Sequence, residues 1–552
     1  MVISRRALLR SAAALSGASA VAVTYPHGAF AQPGPVFRHG VASGDPLPDR
    51  VVIWTRITPV PEAAPGSGIG PPVSVRWELA RDPAFTQVAA QGTVTTGPER
   101  DHTVKVDVSG LAPANRYFYR FHAGGELGGT SDTGTTRTAP APGTPVPRLR
   151  FAVVSCSNWE AGYFSAYRHL ADRGDLDAVI HLGDYLYEYG VGEYGGKHGS
   201  VRAHQPSHDI VTLADYRIRH AQYKTDPDLQ RLHREVPWIP IWDDHESAND
   251  SWRGGAENHD PATQGDWATR YRSALQAYLE WLPVRPAGDR LYRRLQFGDL
   301  CELSMIDLRS YRDETPGVAE WPAVDAPGRT IAGADQLSWL VTGLTTSPAR
   351  WQLVGNPVMI APLVVPPLEP DTTAAITEML GIPRGGIPIN TDQWDGYTAD
   401  RRRVIEAITA NGPASVVFLT GDIHSTWANE LPINPANYPA GGTAAVEFVV
   451  PSVTSKNIDD ILQVPERTVS PAAEGAIRQV NQHVRDVELD SHGYGVCEVT
   501  PEQVQMDWYY VSHVADPGAS VRHALSRRTR HGSAVVEPAV VLDPAAYQPG
   551  RP

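Results

Sequence analysis

Four short segments of this 552-residue sequence place side chains that can bind metal ions directly after apolar runs typical of buried β-strands. These side chains are Cys156; Asp184 and Tyr187; Asp244, His245 and Asn249; and Asp422 and His424. In open α/β sheets, ligands collect beyond the carboxyl ends of the strands, so we expect these groups to meet at one sheet edge. One such strand end could arise by chance, whereas four indicate a shared site for several metal ions.

The side chains in these segments suit two kinds of metal ion. A thiolate, a phenolate and an imidazole suit a redox-capable or borderline ion such as iron, whereas Asp and Asn oxygens suit a harder ion such as calcium. Neighbouring metal ions can make a hydroxide, hold a phosphate ester and stabilise its leaving oxygen, and a carboxylate such as Asp184 can bridge two of them. The pattern therefore favours metal-assisted hydrolysis of a phosphate ester.

The elements that must position these groups alternate between strand and helix. Residues 151–154 and 178–182 are predicted buried strands, and the segment between them has helical character, which makes a βαβ unit. Four acidic or imidazole groups in a row, residues 243–246, are costly at a strand end unless they contact solvent or something positive. Two further strands are predicted, over residues 237–242 before Asp244 and over residues 415–420 before Asp422.

The segment that precedes these strands is predicted to be all β. Residues 51–55, 73–79 and 103–108 alternate as half-buried strands do, and residues 111–121 resemble part of a fibronectin type III module. We therefore expect a small β-sandwich over residues 32–137. After it we expect, in order, a Pro-rich linker over residues 138–148, a catalytic domain over residues 149–520 and a C-terminal tail over residues 521–552.

The N-terminus has the form of an export signal. Arg5 and Arg6 precede a small, mildly apolar run over residues 11–23, and Ala29-Phe30-Ala31 has the small-x-small form of a cleavage site. We interpret residues 1–31 as a twin-arginine signal peptide; a plain secretory signal that holds two arginines is the alternative. The expected partner is the twin-arginine export machinery, and the expected location is extracellular or at the cell wall.

Composition limits the classes of protein that fit. The hydrophobic fraction of 41% and charged fraction of 20% are typical of a soluble globular protein, and the formal charge of −14 argues against broad nucleic-acid binding. The apolar run near the N-terminus is too short to anchor in a bilayer, so no transmembrane segment is expected. Three cysteines cannot make a disulfide framework. We expect a monomer.

The motifs also resemble a known family. Gly183-Asp184-x-x-Tyr187 and Gly421-Asp422-x-His424 are similar to sequence blocks of the calcineurin-like metallophosphatases. The particular forms GDYLYEYG, WDDHESAND, DQWDGY and GDIHS, after an N-terminal HGVASGDP, resemble the PhoD family of alkaline phosphatases and phosphodiesterases. The resemblance extends from residue 37 to about residue 510. It implies an α/β fold, the metallophosphatase αββα sandwich, which binds one Fe³⁺ and two Ca²⁺ ions.

The same resemblance implies a role for each motif residue. The iron ligands would be Cys156, Asp184, Tyr187 and His424, with Asp184 bridging. The calcium ligands would be Asp244 or Asn249, together with Asp395 and Asp422. His245 would be the second catalytic residue beside Asp184, as the proton donor to the leaving group. The form WDDHE departs from the GNH[DE] block of the wider superfamily, and so leaves the choice between Asp244 and Asn249 open.

The resulting hypothesis is a secreted, metal-dependent phosphoesterase in which a metal-activated oxide or hydroxide attacks phosphorus. Its substrates would be phosphate monoesters, diesters or both, at an alkaline-leaning pH. One alternative is a phosphodiesterase of the phospholipase D type, because the motifs do not separate these substrates. The other is a non-catalytic cell-surface binding protein built on the sandwich module, which would require degraded metal ligands.

Overall fold

In the computed structural model, which describes residues 36–365, 387–410 and 415–543, two β-sheets stack face to face and carry helices on their outer faces. The expected export signal, residues 1–31, lies outside the described residues. No helix in the described part of the chain is long and apolar enough to cross a membrane.

The elements are numbered here in chain order. The strands are β1 (Val41–Leu47), β2 (Arg50–Arg56), β3 (Val73–Ala80), β4 (Val88–Thr96), β5 (Thr103–Ser109), β6 (Arg116–Ala123), β7 (Gly134–Arg137), β8 (Leu149–Val154), β9 (Ala178–His181), β10 (Trp238–Pro240), β11 (Arg293–Phe297), β12 (Cys301–Met305), β13 (Trp351–Asn356), β14 (Val364–Val365), β15 (Ile387–Pro388), β16 (Val416–Thr420), β17 (Thr426–Pro432), β18 (Thr443–Val449), β19 (Val484–Glu488), β20 (Gly493–Val499), β21 (Gln503–Val511), β22 (Val521–Arg530) and β23 (Glu537–Pro538). The α-helices are α1 (Ser165–Arg173), α2 (Leu213–Tyr223), α3 (Pro227–Glu235), α4 (Pro261–Gln264), α5 (Trp267–Trp281), α6 (Ala334–Thr346), α7 (Thr398–Ala410), α8 (Ile458–Leu462) and α9 (Ser470–Val480).

The two large sheets are mixed, with parallel strands at their centres. The first has the order β23-β22-β21-β20-β8-β9-β10-β1-β2-β5, and β8, β9 and β10 run parallel. The second has the order β11-β12-β13-β16-β18-β17-β19, and β12, β13, β16 and β18 run parallel. The parallel strands therefore present several carboxyl ends on each sheet, where loops can carry functional side chains.

Local sequence explains these elements. All six residues of β8 are buried, as expected for a strand covered on both faces, and residues 151–154 form the continuous apolar run of a parallel sheet. Helix α2 begins with a capping box between Thr212 and Asp215, and α3 begins with Asp226 as cap and Pro227 in the first turn. Each cap satisfies backbone N–H groups that the helix leaves unpaired at its start.

The core lies between the two large sheets. Phe151 of β8 contacts Phe297 of β11 with ring centroids 5.3 Å apart, and Phe448 of β18 contacts Trp508 of β21 at 5.6 Å. A separate apolar cluster packs α6 and α7 against the outer face of the seven-stranded sheet. The resulting helix–sheet–sheet–helix layering is the expected αββα sandwich.

The N-terminal sandwich is present, but it is not a separate module. Its strands β4-β3-β6-β7 form their own sheet, whereas β1, β2 and β5 extend the ten-stranded sheet through parallel pairing of Gly44 with Trp238. A side chain at Gly44 would place its Cβ 2.6 Å from the Trp238 carbonyl oxygen, so only glycine fits. Arg293 donates to Asp45 at 2.6 Å, and the Trp54 indole donates to the Glu280 carbonyl at 2.8 Å.

The expected C-terminal tail differs from what the structure shows. Residues 521–530 form strand β22, which pairs antiparallel with β21 along its length, and β23 pairs with β22 in turn. Arg527, in the basic run of this segment, forms a bidentate ion pair with Asp486 at 2.6 and 2.7 Å. The segment expected to be a tail is therefore part of the ten-stranded sheet.

The expected linker, residues 138–148, contains no helix or strand, but it is anchored. The Ala139 amide donates to the Leu47 carbonyl at 3.2 Å, and the Asp299 amide donates to the Thr144 carbonyl at 3.0 Å. These contacts hold its two ends on the sandwich and on the turn between β11 and β12.

Candidate active site

The metal-binding side chains identified in the sequence lie just beyond the carboxyl ends of four parallel strands. Cys156 follows β8, Asp184 follows β9, Asp244 follows β10, and Asp422 follows β16. Three of these strands belong to the ten-stranded sheet and β16 belongs to the seven-stranded sheet. The site therefore forms where loops from the two stacked sheets meet.

The structure brings these groups into two overlapping clusters. Ligand atoms of Cys156, Asp184 and His424 all lie within 4.8 Å of one another, and so do those of Asp184, Asp244 and His245. All five residues are buried. Asp184 belongs to both clusters, which is the position that a bridging carboxylate would occupy.

Tyr187 and His424 complete the first cluster. The Tyr187 hydroxyl donates to Asp184 Oδ2 at 3.0 Å and lies 3.2 Å from His424 Nε2. His424 Nδ1 donates to the Lys456 carbonyl at 2.7 Å, which fixes the ring so that Nε2 is the nitrogen facing Tyr187.

The loops that carry these ligands have unusual backbone conformations. Positive φ angles occur at Cys156 (60°), Asp184 (55°), Asp422 (63°) and His424 (53°), a region that non-glycine residues rarely adopt. Strain of this kind persists only where surrounding structure enforces it, and it concentrates at functional sites. The loops that carry these four residues are therefore held in place at a conformational cost.

Two glycines in the motifs allow the loops to approach closely. Gly183 has φ of 109°, and a Cβ there would lie 2.7 Å from the Asp243 amide nitrogen. A Cβ at Gly421 would lie 2.7 Å from Ser155 Cβ, on the loop after β8. Both glycines are required because loops from different strands contact each other at these points.

The His245 ring is fixed from several directions. Its Nδ1 lies 2.7 Å from Glu188 Oε2, and the same carboxylate accepts hydrogen bonds from the Asn249 amide and the Asn258 side chain. The Tyr187 ring lies 4.2 Å from the imidazole, measured between centroids. Although burial disfavours the charged imidazole, the carboxylates of Asp244, Asp184 and Glu188 raise the pKa of His245 well above its ordinary value. Burial opposes ionisation of Glu188, but His245 and the hydrogen bonds hold its pKa below the ordinary value.

Two further carboxylates bind the loops together. Glu246 accepts hydrogen bonds from the backbone amides of Asp184, Tyr185 and Asp243 at 3.1, 2.7 and 2.9 Å. Asp244 accepts from the backbone amides of His245 and Asp250 at 3.0 and 2.6 Å. These bonds hold the loop after β9 and the loop after β10 in a single arrangement.

A buried arginine joins this loop to the motif around Asp392. Arg309 donates to Asp243 Oδ2 at 3.0 Å and to both oxygens of Asp392 at 3.1 Å, and it lies 3.7 Å from Asp244. Arg312 adds an ion pair with Asp392 at 2.7 Å. These guanidinium groups compensate part of the negative charge beside the site.

The structure does not bring Asp395 to the two clusters. Its Oδ2 accepts from the Leu363 amide at 2.8 Å, and its Oδ1 forms an ion pair with Arg401. The DQWDGY motif contains two aspartates, Asp392 and Asp395, and a 3₁₀ turn over Trp394–Gly396 follows the first of them. The two aspartates have different partners. The expectation that Asp395 is a calcium ligand is therefore not supported by its contacts.

The site contains buried carboxyl groups whose negative charge bound cations would compensate. Burial raises the pKa of Asp184 well above its ordinary value; His245 opposes that rise, and the Asp244 carboxylate adds to it. Burial, opposed by Arg309, raises the pKa of Asp243 to about 7. Asp184 Oδ1 and Asn249 Oδ1 are buried and have no hydrogen-bond partner among the described residues. Oxygens of this kind are suitable ligands for a hard cation.

The sequence motifs contained some of the supporting residues, but did not indicate their roles. Glu188 and Glu246 stand inside the GDYLYEYG and WDDHESAND segments, so their proximity in the chain was the available signal. Arg309 lies outside these motifs, and its side chain pairs with Asp243 and Asp392 across the fold. Contacts of that range depend on the tertiary arrangement of the loops.

A second group of buried titratable side chains lies outside the site, between β9, β10, α2 and α3; we call it the basic cluster. It contains Lys224, His181, His220 and His233. His233 Nε2 lies 2.9 Å from both Lys224 Nζ and the Tyr185 hydroxyl. Burial, with Lys224 adding, lowers the pKa of His181 and of His220 to about 3, and burial lowers the pKa of Lys224 well below its ordinary value.

The fold is similar to that of a purple acid phosphatase. The structure superposes on that of the purple acid phosphatase PPD1 from yellow lupin seeds with a TM-score of 0.51, covering 89% of this chain and 75% of that one, at 11% identity. A likeness at that level of identity concerns the fold alone.

The chain belongs to the PhoD-like phosphatase family. The family model for the PhoD-like phosphatase matches residues 151–508, and the model for its N-terminal domain matches residues 22–140. The chain is 38% identical to alkaline phosphatase D of Bacillus subtilis (strain 168) over 499 residues, 88% of this chain and 79% of that protein. A solved structure of PhoD is similar with a TM-score of 0.80 and 35% identity, covering 94% of each chain. The protein is therefore a phosphoesterase, and the family and fold expected from the sequence are confirmed.

Proposed function

We propose that this phosphoesterase is metal-dependent, that it uses one Fe³⁺ and two Ca²⁺ ions, and that it acts outside the cell on phosphate monoesters, diesters or both. The observation that carries the proposal is the position of Asp184, which lies within 4.8 Å of the ligating atoms of both clusters. A buried carboxylate shared by two sets of ligands is suited to bridge two cations.

The proposed iron ligands are Cys156, Asp184, Tyr187 and His424. Their donor set fits a ferric ion, because thiolate, phenolate and imidazole groups bind such ions well. Burial and the nearby Asp184 carboxylate raise the pKa of the Cys156 thiol well above its ordinary value, so a thiolate at this position requires a compensating cation.

The proposed calcium ligands are Asp244, Asn249 and Asp422. The side-chain oxygen of Asn249 is buried and has no hydrogen-bond partner among the described residues, which supports Asn249 beside Asp244. Asp395 could join them only by giving up its ion pair with Arg401. When bound, the cations would supply positive charge that activates water and stabilises the phosphoryl and leaving oxygens.

The chain's own residues would orient the ester and move the proton. His245, held by Glu188, is the proposed proton donor to the leaving oxygen, because its ring contacts Tyr187 and lies among the carboxylates of the second cluster. Arg309 limits the repulsion between the Asp243 and Asp392 carboxylates, and so keeps the loop after β10 in place.

Metal analysis and a substrate panel test this proposal together. Protein recovered from its native export route should contain about one iron and two calcium ions per chain by mass spectrometry. It should hydrolyse nitrophenyl phosphate, bis-nitrophenyl phosphate or both. An active protein that contains no iron would contradict the assignments of Cys156 and Tyr187. Activity on phosphatidylcholine alone would favour the phospholipase D alternative.

Export through the twin-arginine route is a further part of the proposal. Arg5 and Arg6 stand ahead of the apolar run in the sequence, and this route carries folded proteins, so the metal site could be loaded before export. Replacement of both arginines by lysine should leave the enzyme inside the cell, where fractionation would locate it. Unchanged secretion of that variant would favour the plain secretory signal.

A further inference from the structure

We propose that Glu188 is a positioning residue that acts on the hydrolysis reaction through His245, and this inference rests on the proposed function. The two side chains form an ion pair in which Glu188 Oε2 and His245 Nδ1 are 2.7 Å apart. Their side chains are 0% and 1% exposed, so water does not compete for this contact.

The Glu188 carboxylate has a fixed position of its own. Its Oε1 accepts hydrogen bonds from the Asn249 amide at 2.8 Å and from the Asn258 side chain at 2.9 Å. Glu188 also follows Tyr187 in the chain, so it joins the loop after β9 to the loop after β10. A carboxylate held at three points can determine where the imidazole lies.

The consequence for His245 is a single orientation of the ring. Because Nδ1 donates to Glu188, Nε2 is the nitrogen available to the site. The rings of Tyr187, Tyr189 and Tyr194 lie 4.2, 5.6 and 5.6 Å from the imidazole and oppose rotation about its side chain. The hydrogen bond thus sets the tautomer, and the packing keeps the ring in place.

This orientation suits one step of ester hydrolysis. A water oxygen forms a new bond to phosphorus, the bond from phosphorus to the leaving oxygen breaks, and that oxygen takes a proton from His245 Nε2. A proton of the attacking water restores the imidazolium. Ester and water therefore give alcohol and phosphate with no other reactant, and Glu188 remains ionised throughout.

The leaving group distinguishes this role from a structural one. Phenolate is a poor leaving group and needs a proton as the bond to phosphorus breaks, whereas dinitrophenolate leaves without one. A residue that acts through a proton donor should matter for the first ester and hardly for the second. A residue that merely supports the fold should affect both esters alike.

The experiment compares Glu188→Gln with the unmodified enzyme on phenyl phosphate and on 2,4-dinitrophenyl phosphate. We expect kcat to fall about 10²-fold for phenyl phosphate and less than about threefold for the dinitrophenyl ester, with KM and metal content retained. His245→Ala should show the same dependence on the leaving group. In the double variant, the additional loss caused by Glu188→Gln should be less than about twofold.

Glu447→Gln is the matched control. Glu447 is buried and accepts from the Ile360 and Ala361 amides and the Thr420 hydroxyl, so its replacement should not discriminate between the two esters. If Glu188→Gln is poorly folded, Asn258→Ala loosens the same carboxylate and should give a smaller loss with the same leaving-group dependence.

Three outcomes would overturn the inference. Equal losses on both esters would show a structural role, and a loss that multiplies fully in the double variant would show that Glu188 does not act through His245. If the unmodified, metal-loaded enzyme hydrolyses neither ester, the proposed function fails and this inference fails with it. If it hydrolyses both and only the leaving-group dependence is missing, the role of Glu188 alone is refuted.

Discussion

The active-site loops and the basic cluster both bury several titratable side chains. Burial disfavours negative charge in the active-site loops, whereas it disfavours positive charge in the basic cluster. In the site, burial raises the pKa of Asp184, Asp243 and Cys156. In the basic cluster, burial lowers the pKa of His181 and Lys224. The acids lie among other acids and strained loops, whereas the bases are surrounded by aromatic rings.

This difference separates a binding site from a packing arrangement. Basic side chains can be accommodated in the interior if they share hydrogen bonds, as Lys224, His233 and Tyr185 do. In the site, by contrast, carboxylates lie beside one another, and Asp184 Oδ1 and Asn249 Oδ1 have no hydrogen-bond partner among the described residues. The first region is therefore the one at which we propose bound cations.

The largest expected effect separates two buried aspartates. Asp184→Asn should lower activity at least about 10³-fold and release the bound metal, because it removes the charge shared by both clusters. Asp507→Asn is the control, since Asp507 is equally buried in β21 but contacts Gln505 and Leu542 rather than the site. Metal content and hydrolysis rates of the two variants provide the measurement. Comparable activity in both would refute the site.

The basic cluster should make the fold sensitive to acid. His181 and His220 have pKa values of about 3 in the folded protein and about 6.5 when unfolded, so the unfolded chain binds more protons between these values. Stability is therefore complete above pH 6.5 and is lost as the pH falls, by about 3 kcal/mol per pH unit for the pair. The raised pKa of Asp243 acts in the opposite direction, so the slope is measured as the difference between the unmodified protein and His220→Phe in urea unfolding at pH 8, 6 and 5. His220→Phe should remove about half of the slope, and a difference between the two proteins that does not change with pH contradicts the prediction.

Two neighbouring tyrosines allow a direct comparison of the active site with the basic cluster. Tyr187 lies in the site, whereas Tyr185 bonds to His233 of the basic cluster, and both are buried. Tyr187→Phe should abolish a visible phenolate-to-iron absorption band and lower activity about 10²-fold. Tyr185→Phe should retain the band and lose about 1 kcal/mol of stability. Absorption spectra of the two iron-loaded variants decide the question, and a band that survives Tyr187→Phe excludes Tyr187 as a ligand.

The smallest effect concerns two histidines of the basic cluster. Neither ring nitrogen of His220 has a hydrogen-bond partner among the described residues, so His220→Phe removes only a suppressed charge and should stabilise the protein by about 2 kcal/mol at pH 5. His233→Phe should be destabilising, because it leaves the Tyr185 hydroxyl and Lys224 without their shared acceptor. Unfolding free energies at pH 5 and pH 8 compare the two. Equal changes in unfolding free energy for the two variants would show that the hydrogen-bond partners of these histidines do not affect stability.

The parts of the fold that follow from short-range patterns could be predicted from the sequence. Apolar runs followed by ligating residues identify β8, β9, β10 and β16, because strand and loop are adjacent in the chain. Neighbouring parallel strands have their carboxyl ends at one edge, so the meeting of Cys156 and Asp184 follows from the same pattern. The expectation of a single sheet edge was wrong for His424, because β16 belongs to the other sheet and its loop reaches them through the stacking of the two sheets.

Other features depend on contacts between distant segments. The side chains of Asp395 and Arg309 could not be placed, since their partners Arg401, Asp243 and Asp392 are selected by how loops pack. The strand β22 was mistaken for a tail because most of its residues are exposed or half-buried, so its sequence lacks the apolar run of a buried strand. The continuity between sandwich and catalytic sheet was missed because the strands that pair there, β1 at Gly44 and β10 at Trp238, lie far apart in the chain.

That continuity has a consequence for how the chain would respond to proteolysis. Residues 142–145 are exposed and irregular, so they are a natural place for a protease to cut. A nick there would not release the N-terminal segment, because β1 remains hydrogen-bonded to β10, and Asp45 and Trp54 remain attached to Arg293 and Glu280. The severed chain would stay assembled as two fragments of one working enzyme.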